Sequence, residues 1–215
     1  INQDLINKVG KDLKIIFTPI HGTGNLPIRR VLSEVGFENV SVVKEQEMPD
    51  SNFSTVAYPN PEEKEVFDIA IEMAKTDGAD IIIGTDPDCD RVGVVVKDND
   101  GEYIVLNGNQ VGSLLVDYVM SNKAKEIKEM HNPMIVKTIV TSELGAEIAK
   151  SYGVGCVDTL TGFKFIGEKI NQYEQNNSAT FIMGYEESYG YLVVTHARDK
   201  DGVVSALLIS EMAAF

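Results

Sequence analysis

At residues 81–91 the chain reads Ile-Ile-Ile-Gly-Thr-Asp-Pro-Asp-Cys-Asp-Arg. The apolar start predicts a buried strand, which leads directly into aspartates at alternate positions, Asp86, Asp88 and Asp90, followed by Arg91. Hard oxygen ligands at this spacing can close around one divalent cation and leave coordination positions for phosphate or water. Because like charges repel at short range, a bound cation would also explain why three carboxylates are placed together.

Two other interpretations of this acidic loop stay open, and one is excluded. Asp-Pro-Asp is also ordinary turn chemistry, which favours a plain solvated turn. A haloacid-dehalogenase-type phosphatase also has Asp-x-Asp after an apolar strand, although Asp90 stands where that class has a small hydroxyl or aliphatic residue. An EF-hand calcium loop is excluded, because counting from Asp86 puts Arg91 where the loop needs glycine and Lys97 where it needs glutamate.

The composition is that of a soluble globular protein, with 215 residues of which 43% are hydrophobic and 24% are charged. The net charge of −14 argues against nucleic-acid and membrane partners, but it leaves room for a local phosphate site. No apolar run approaches the roughly 18 residues of a membrane span, and no signal-peptide pattern occurs. The two cysteines, Cys89 and Cys156, are far apart, so we expect free thiols and a cytoplasmic location.

The chain repeats one pattern of strands and helices. Residues 79–86 (ADIIIGTD) parallel residues 179–186 (ATFIMGYE), and a polar loop and a second apolar strand follow each of them. Any two α/β units share features at this level, but the common glycine before each loop favours two copies of one fold. We therefore expect two similar α/β domains, 1–106 and 107–215, each a mixed sheet covered by helices. The special loop of the second copy is Glu-Glu-Ser-Tyr-Gly at 186–190.

Local signals also predict the ends of several elements. A helix is expected from about Pro27 to Gly36, because proline suits the first turn and glycine the end of a helix. A second helix is expected from Glu62 to about Thr76. The sequence Asp98-Asn99-Asp100-Gly101 predicts a hairpin turn.

Polar residues in the second half form a further group of candidates. Glu186 and Ser188 lie two apart, so in an extended loop both side chains would point the same way and could bind neighbouring sugar hydroxyls. A plain strand-end turn is the alternative. Residues 161–164 (TGFK) form a turn into a helix whose N–H groups could bind an anion or simply cap the helix. Residues 198–202 (RDKDG) supply cations in an otherwise acidic chain, or form a solvated loop.

Two more positions stand out. Lys137 interrupts the apolar run 135–140, so its side chain either extends outward to solvent or projects into a cleft from the strand end. The loop 18–25 (TPIHGTGN) lies between a strand and a helix N-terminus, where phosphates commonly bind, which makes His21 and Gly22 phosphate-proximal candidates. The loop lacks the Lys-Ser/Thr of a P-loop, and a tight turn is an equally simple interpretation.

Taken together and in this order, the motifs resemble those of the α-D-phosphohexomutase superfamily, the phosphoglucomutase/phosphomannomutase enzymes. Residues 85–91 look like the family's magnesium loop, and residues 184–190 look like its sugar-recognition loop. The double acid of the second loop is similar to phosphoglucomutase/phosphopentomutase-like members. Residues 161–165 and 198–202 match two further segments. The resemblance covers nearly the whole chain and implies the second and third of the family's four domains.

The resemblance implies a phosphotransferase-type isomerase of carbohydrate metabolism. In such an enzyme a phosphoserine passes its phosphoryl group to a sugar phosphate through a bisphosphorylated sugar. Asp86, Asp88 and Asp90 would hold Mg²⁺, with Arg91 beside the transferred group. The expected substrate-binding residues are Glu186, Ser188, Thr161, Gly162, Arg198 and Lys200. Lys137 is a candidate for proton transfer or for substrate contact near the metal, because a desolvated lysine titrates at lower pH.

Two parts of the implied family are not found in these 215 residues. No Thr-Ala-Ser-His-Asn-Pro-like loop, which would carry the phosphoserine of domain I, is present, and no Arg-Pro-Ser-Gly-Thr-like phosphate loop of domain IV. We therefore expect an excised segment, inactive by itself, of a longer cytoplasmic mutase that acts on a sugar phosphate and a sugar bisphosphate. A non-catalytic metal- and sugar-binding segment remains the alternative, and the identity of the sugar stays open.

Overall fold

The structure is a computed structural model that describes all residues from Ile1 to Phe215. In chain order the strands are β1 (Ile15–Thr18), β2 (Val40–Val42), β3 (Ile81–Thr85), β4 (Val92–Lys97), β5 (Tyr103–Leu106), β6 (Pro133–Thr138), β7 (Gly155–Thr159), β8 (Thr180–Tyr185) and β9 (Tyr191–Val193). The α-helices are α1 (Gln3–Val9), α2 (Asn25–Val35), α3 (Lys44–Glu47), α4 (Asp68–Asp77), α5 (Gly108–Asn122), α6 (Ala124–Ile127), α7 (Leu144–Ser151), α8 (Phe163–Asn176) and α9 (Gly202–Ala214). A 3-10 helix, Lys64–Phe67, precedes α4. None of the helices combines the length and the apolar character that a membrane span requires.

The first compact unit comprises residues 1–107 and 202–215. Its sheet has the strand order β2-β1-β3-β4-β5, in which β1 runs parallel to β2 and β3, and β4 runs antiparallel to β3 and β5. Every residue of β3 is buried, as expected for a central strand that is covered on both faces. Ile82 of this strand packs in a core with Ile16, Phe67 and Val95. The apolar run before the acidic loop is therefore the middle of the sheet.

The second unit comprises residues 108–201. Its sheet has the order β7-β6-β8-β9, in which β6 runs parallel to β7 and β8, and β9 runs antiparallel to β8. The core beneath α8 joins Val136 and Phe181 of the sheet to Ile166 and Ile170 of the helix. This unit again places its central strand, β8, directly before a polar loop.

The two sheets confirm the predicted pair of similar α/β units. The order and directions of β2-β1-β3-β4 match those of β7-β6-β8-β9. The loop after the central strand is also closed in the same way, because its first residue donates its backbone N–H to a carbonyl near the loop's end. Asp86 donates to Arg91 at 3.4 Å, and Glu186 donates to Gly190 at 2.9 Å. Asp86 and Glu186 thus occupy equivalent positions in their own units.

Several predicted boundaries change in the structure. Helix α2 begins at Asn25, two residues before the expected start, and it ends as expected at Gly36, whose φ of 116° lies in the left-handed region. The helix expected from Glu62 is split into the 3-10 turn and α4. The hairpin turn is confirmed, since Gly101 donates its N–H to the carbonyl of Asp98 at 3.1 Å.

Helix α9 packs differently from what the sequence suggests. The sequence assigns it to the second domain, but it contacts α1, α2, β3 and β4 of the first unit. Glu211 of α9 is buried, and its Oε2 accepts the backbone N–H of Asn2 at 2.8 Å. A helix that follows the second sheet in the chain therefore packs as part of the first unit.

Gly84 and Gly184 occupy corresponding positions, each facing a side chain from the helical segment that precedes its strand. A Cβ atom added at Gly84 would lie 2.5 Å from Cε1 of Phe67, and one at Gly184 would lie 2.6 Å from Cγ2 of Ile166. Both partner side chains are fully buried, so neither has room to move. The shared glycine is therefore explained by packing in both units.

We predict that Gly84→Val and Gly184→Val each destabilise their own unit by about 1–3 kcal/mol, because extra methyl groups overpack a filled core. Native-state hydrogen exchange of β3 and β8 amides would measure the loss in each unit separately. Lys97→Val, at the exposed end of β4, is the control and should change stability by less than about 0.5 kcal/mol. Wild-type protection of β3 in Gly84→Val would contradict this packing.

Candidate functional site

The aspartates of the acidic loop converge at the end of β3. One carboxylate oxygen from each of Asp86, Asp88 and Asp90 lies within 4.8 Å of the other two. Asp86 is buried, Asp90 is half-buried and Asp88 is exposed, so solvent reaches the cluster from the side of Asp88. Carboxylate oxygens are ligands that Mg²⁺ and Ca²⁺ prefer, and such a group repels itself unless a cation lies among its members. The donor set therefore fits one divalent cation.

Asp86 is held in place by its own loop. Its Oδ1 accepts the backbone N–H groups of Asp90 (3.0 Å) and Arg91 (2.9 Å), and its Oδ2 accepts Nε of Arg91 (2.6 Å). Burial by itself raises the pKa of Asp86, but the bonds from Arg91 and its charge outweigh burial and hold that pKa below its ordinary value. Nη1 of Arg91 also donates to Oδ1 of Asn60 at 3.0 Å. Asp86 therefore stays ionised, and Arg91 fixes its orientation.

Two segments that are distant in sequence pack against this loop. A Cβ atom at Gly22 would lie 2.4 Å from Cα of Pro87, and the N–H of Thr23 donates to the carbonyl of Pro87 at 2.8 Å. At the start of α9, Gly202 donates its N–H to the carbonyl of Cys89 at 3.0 Å. Cys89 itself has a φ of 62°, which residues other than glycine seldom adopt. The loop thus depends on close backbone contacts that only glycine at position 22 allows.

His21 has a structural role in the fold. Its Nδ1 lies 3.0 Å from the carbonyl of Met48, and its Nε2 lies 2.8 Å from Oγ1 of Thr55. Since a carbonyl can only accept, the Nδ1–H tautomer satisfies both contacts, with Thr55 donating to Nε2. Both ring nitrogens are therefore engaged within the protein. The ring anchors the connection after β2, and Gly22 supports the acidic loop. That both residues lie near a phosphate stays a prediction.

Glu186 occupies the position of Asp86 in the second unit. Its Oε1 accepts the backbone N–H of Gly162 at 2.9 Å. Burial raises the pKa of Glu186 above its ordinary value, although the bond from Gly162 and the charge of Lys200 act in the opposite direction. Residues 187–189 are bent, so the extended loop assumed for Glu186 and Ser188 is wrong. The structure leaves Ser188 half-buried in this bend.

The two cationic candidates near this loop differ in their surroundings. A Cβ atom at Gly190 would lie 2.4 Å from Cδ of Lys200, so the aliphatic part of the lysine covers the end of the 186–190 loop. Arg198 instead forms an ion pair with Glu174 and donates to the carbonyl of Thr195 at 2.6 Å. Thr161 is exposed, just before Gly162 at the start of α8. The structure therefore brings Lys200 towards Glu186 and directs Arg198 elsewhere.

Lys137 does not extend outward to solvent, which is one of the two expectations for it. Its side chain is fully buried, and Nζ pairs with Glu143 at 2.8 Å and Asp158 at 2.9 Å. Burial lowers the pKa of Lys137, but these two carboxylates outweigh it, so the pKa is raised above its ordinary value. The premise that it titrates at lower pH is therefore wrong. No local pattern indicates these partners, because both become neighbours of Lys137 only after folding.

Two family models together match nearly the whole chain. Residues 2–101 match phosphoglucomutase/phosphomannomutase alpha/beta/alpha domain II, and residues 107–214 match domain III of the same family. The chain belongs to the phosphoglucomutase/phosphomannomutase family. This membership confirms the resemblance drawn from the acidic loop and the Glu-Glu-Ser loop.

Relatives with established names belong to the same family. The chain is 40% identical over 215 residues to a phosphoglucomutase of Staphylococcus epidermidis (strain ATCC 12228). The aligned region covers 99% of this chain and 38% of that protein. The chain is 37% identical over 213 residues to a phosphoglucomutase of Staphylococcus aureus (strain USA300), again with 99% and 38% coverage. The chain therefore spans well under half the length of these relatives.

Solved structures share the fold of this family member at lower identity. A phosphoglucomutase/phosphomannomutase family protein from Burkholderia thailandensis superposes with a TM-score of 0.72 at 19% identity, covering 99% of this chain and 43% of that one. Parafusin, a phosphoglucomutase from Paramecium, gives a TM-score of 0.70 at 19% identity, with 99% and 35% coverage. An Aspergillus fumigatus N-acetylphosphoglucosamine mutase, solved with GlcNAc-6P and magnesium, superposes with a TM-score of 0.60 at 15% identity. The superposition covers 98% of this chain and 49% of that one.

We predict that the Glu186 carboxyl titrates above the ordinary value of 4.5 and that Lys200→Met raises its pKa further, because the lysine charge favours the ionised form. Carboxyl ¹³C NMR titration would measure both values, with Glu186→Gln to assign the signal. Lys164→Met, which removes an exposed lysine on α8, is the matched control and should leave the titration unchanged. A Glu186 midpoint at or below 4.5 would show that the carboxylate is not buried in this way.

Proposed function

We propose that this chain forms the metal-binding and sugar-binding domains of a mutase that moves a phosphoryl group between two positions of a sugar phosphate. The observation that carries the proposal is the carboxylate cluster of Asp86, Asp88 and Asp90 at the end of β3. Membership of the phosphoglucomutase/phosphomannomutase family supports the reaction class. The proposed reaction interconverts sugar 1-phosphate with the 6-phosphate, or with the 5-phosphate for a pentose.

Asp86, Asp88 and Asp90 are the proposed Mg²⁺ ligands. When bound, the metal would neutralise charge on the phosphoryl group during transfer, which is the main requirement of this chemistry. The magnesium in the A. fumigatus mutase structure supports this choice of ion. Arg91 keeps Asp86 ionised and correctly oriented, so its first contribution is to the shape of the metal site.

Glu186 and Ser188 are the proposed partners of the sugar hydroxyls. An ionised Glu186 can accept hydrogen bonds from hydroxyl groups while Gly162 holds one of its oxygens. Lys200 and Thr161 lie on the same unit and would meet the sugar or its distal phosphate. Lys137 is left out of this set because its buried charge is paired with Glu143 and Asp158. Arg198 would take part only by exchanging its exposed ion pair with Glu174 for the substrate.

The phosphoryl donor has to come from a part of a longer protein that this chain does not include. The resemblance places the donor on a serine in a Ser-His-Asn-Pro-like loop. The match to 38% of the relatives' length supports additional domains, including those that would bind the second phosphate of a sugar bisphosphate. By itself the chain should therefore bind metal and sugar phosphate without turning it over.

The dehalogenase-type phosphatase is the weaker alternative. It requires one core domain and an aspartate nucleophile, and Asp86 would be that residue. In the structure Arg91 pairs with the carboxylate of Asp86 and holds it ionised as part of a three-carboxylate cluster. The chain also has two similar units instead of one. These observations favour the mutase.

Metal binding provides the first test of this proposal. We predict that the chain binds Mn²⁺, used as a calorimetric substitute for Mg²⁺, at one site and that Asp88→Asn weakens binding at least about tenfold, equivalent to about 1.4 kcal/mol, because a charged ligand is lost. The control is Asp100→Asn, which removes an equally exposed carboxylate from the β4–β5 turn. Equal affinities of wild type and Asp88→Asn would refute the assignment.

The reaction provides the second test, in the longer protein that contains this chain. We predict that it interconverts glucose 1-phosphate and glucose 6-phosphate, and that Asp88→Asn lowers turnover at least about a hundredfold through loss of charge stabilisation. Glu186→Ala should impair sugar use while Mn²⁺ binding is retained. Hydrolysis of simple phosphate esters without isomerisation would favour the phosphatase, and turnover by the 215-residue chain alone would overturn the need for a separate donor.

A further inference from the structure

The buried charge of Lys137 is fully satisfied within the second unit. An ammonium group has three donors, and Nζ has one acceptor for each of them: Oε1 of Glu143 at 2.8 Å, Oδ1 of Asp158 at 2.9 Å and the carbonyl of Thr141 at 3.1 Å. Burying a charge is unfavourable unless it is paired in this way. The position of each acceptor is therefore constrained by the lysine.

Two of these acceptors, Thr141 and Glu143, lie in the short segment between β6 and α7, which reaches the Glu-Glu-Ser loop. The hydroxyls of Thr138 and Thr141 lie 3.0 and 2.9 Å from Oε2 of Glu187. The backbone N–H of Glu187 donates back to Oγ1 of Thr141 at 3.2 Å. Glu187 is thus held by the segment at both its side chain and its backbone.

Helix α5 supports the same loop from another direction. Oδ1 of Asn109 accepts the N–H of Ser142 at 2.8 Å, which attaches the segment to the first turn of the helix. A Cβ atom at Gly108 would lie 1.9 Å from the carbonyl oxygen of Glu187, so the helix approaches the loop backbone as closely as glycine permits. The loop that carries Glu186 is therefore fixed by contacts made one residue later.

We propose that Lys137 is a positioning residue for the sugar-binding loop and that the two adjacent glutamates have separate roles. Lys137 fixes Thr141, Thr141 fixes Glu187, and Glu187 sets the backbone from which Glu186 reaches Gly162. Glu187 is then a structural anchor, and Glu186 is left as the acid that meets the ligand. That this loop binds a sugar rests on the proposed function. The chain of contacts from Lys137 through Thr141 to Glu187 does not depend on it.

The linkage can be tested without any ligand. Lys137→Met keeps the length of the side chain and removes its charge, and Glu143 and Asp158 are exposed enough to become hydrated. Amide hydrogen exchange, followed by NMR, should be at least tenfold faster at Glu187 and at Gly162 in this variant. The amide of Val136 in β6 is the reference for global opening of the unit. Lys150→Met removes an exposed lysine of α7 and is the matched control, with no change expected.

Ligand binding provides the second readout, with glucose 6-phosphate as the probe. The Lys137→Met substitution should weaken the binding of glucose 6-phosphate at least fivefold, while the affinity for Mn²⁺ stays at the wild-type value. A variant that is only less stable, with Glu187 and Gly162 exchanging as in wild type and with unchanged glucose 6-phosphate affinity, would overturn the proposal. If wild type itself does not bind glucose 6-phosphate, the proposed function fails, and the exchange measurement still decides the linkage.

A second variant covers the case in which Lys137→Met does not fold. Thr141→Val keeps the lysine and removes the hydroxyl that contacts Glu187. We expect the same faster exchange at Glu187 and Gly162 and the same loss of glucose 6-phosphate affinity. Wild-type exchange at both amides in folded Thr141→Val would show that the segment does not position the loop.

Discussion

The carboxylate of Asp86 accepts its hydrogen bonds from residues of the loop that follows it, and the geometry of the acidic cluster depends on these bonds. Without them, repulsion among the carboxylates of Asp86, Asp88 and Asp90 would favour an open loop. Hydrogen bonds to a charged acceptor contribute about 1.5–3 kcal/mol each, and Asp86 receives them from two backbone N–H groups and from Arg91. The loop is thus shaped for a cation by the same residue that would ligate it.

The loop after the central strand of the second unit begins with an acid in the position of Asp86, but its surroundings differ. In both units a glycine lies near the end of the central strand, and the first acid of the following loop accepts at least one backbone N–H bond. In the first unit these bonds come from the loop itself. In the second unit Gly162 at the start of α8 supplies one, and the next residue, Glu187, is held by threonines. One fold therefore presents a cluster of carboxylates in one copy and a single buried glutamate in the other.

Features set by neighbouring residues could be predicted from the sequence. The buried strand β3, the end of α2 at Gly36 and the turn at Asp98–Gly101 all follow from local patterns, and the structure confirms them. The convergence of the aspartates also follows, since alternate spacing after a strand end places them on one loop.

Features set by distant residues could not be predicted. The environment of the Lys137 side chain is ambiguous in the sequence, because its partner Asp158 lies on another strand and a single sequence does not show which strands pair. The contacts of His21 with Met48 and Thr55 could not be predicted, because both partners belong to a connection without a recognisable pattern. Helix α9 follows the second sheet in the chain, and its packing against the first unit could not be predicted because it depends on which apolar surface the helix covers.

The function proposed for this chain depends on the binding of one divalent cation by the loop after β3. A crystal structure of the chain grown with Mn²⁺ would test it most directly through the anomalous signal of the metal. We expect a single peak among Asp86, Asp88 and Asp90, about 2.1–2.2 Å from an oxygen of each, as for a hard cation of this size. No peak at this loop, with the three carboxylates turned apart, would contradict it.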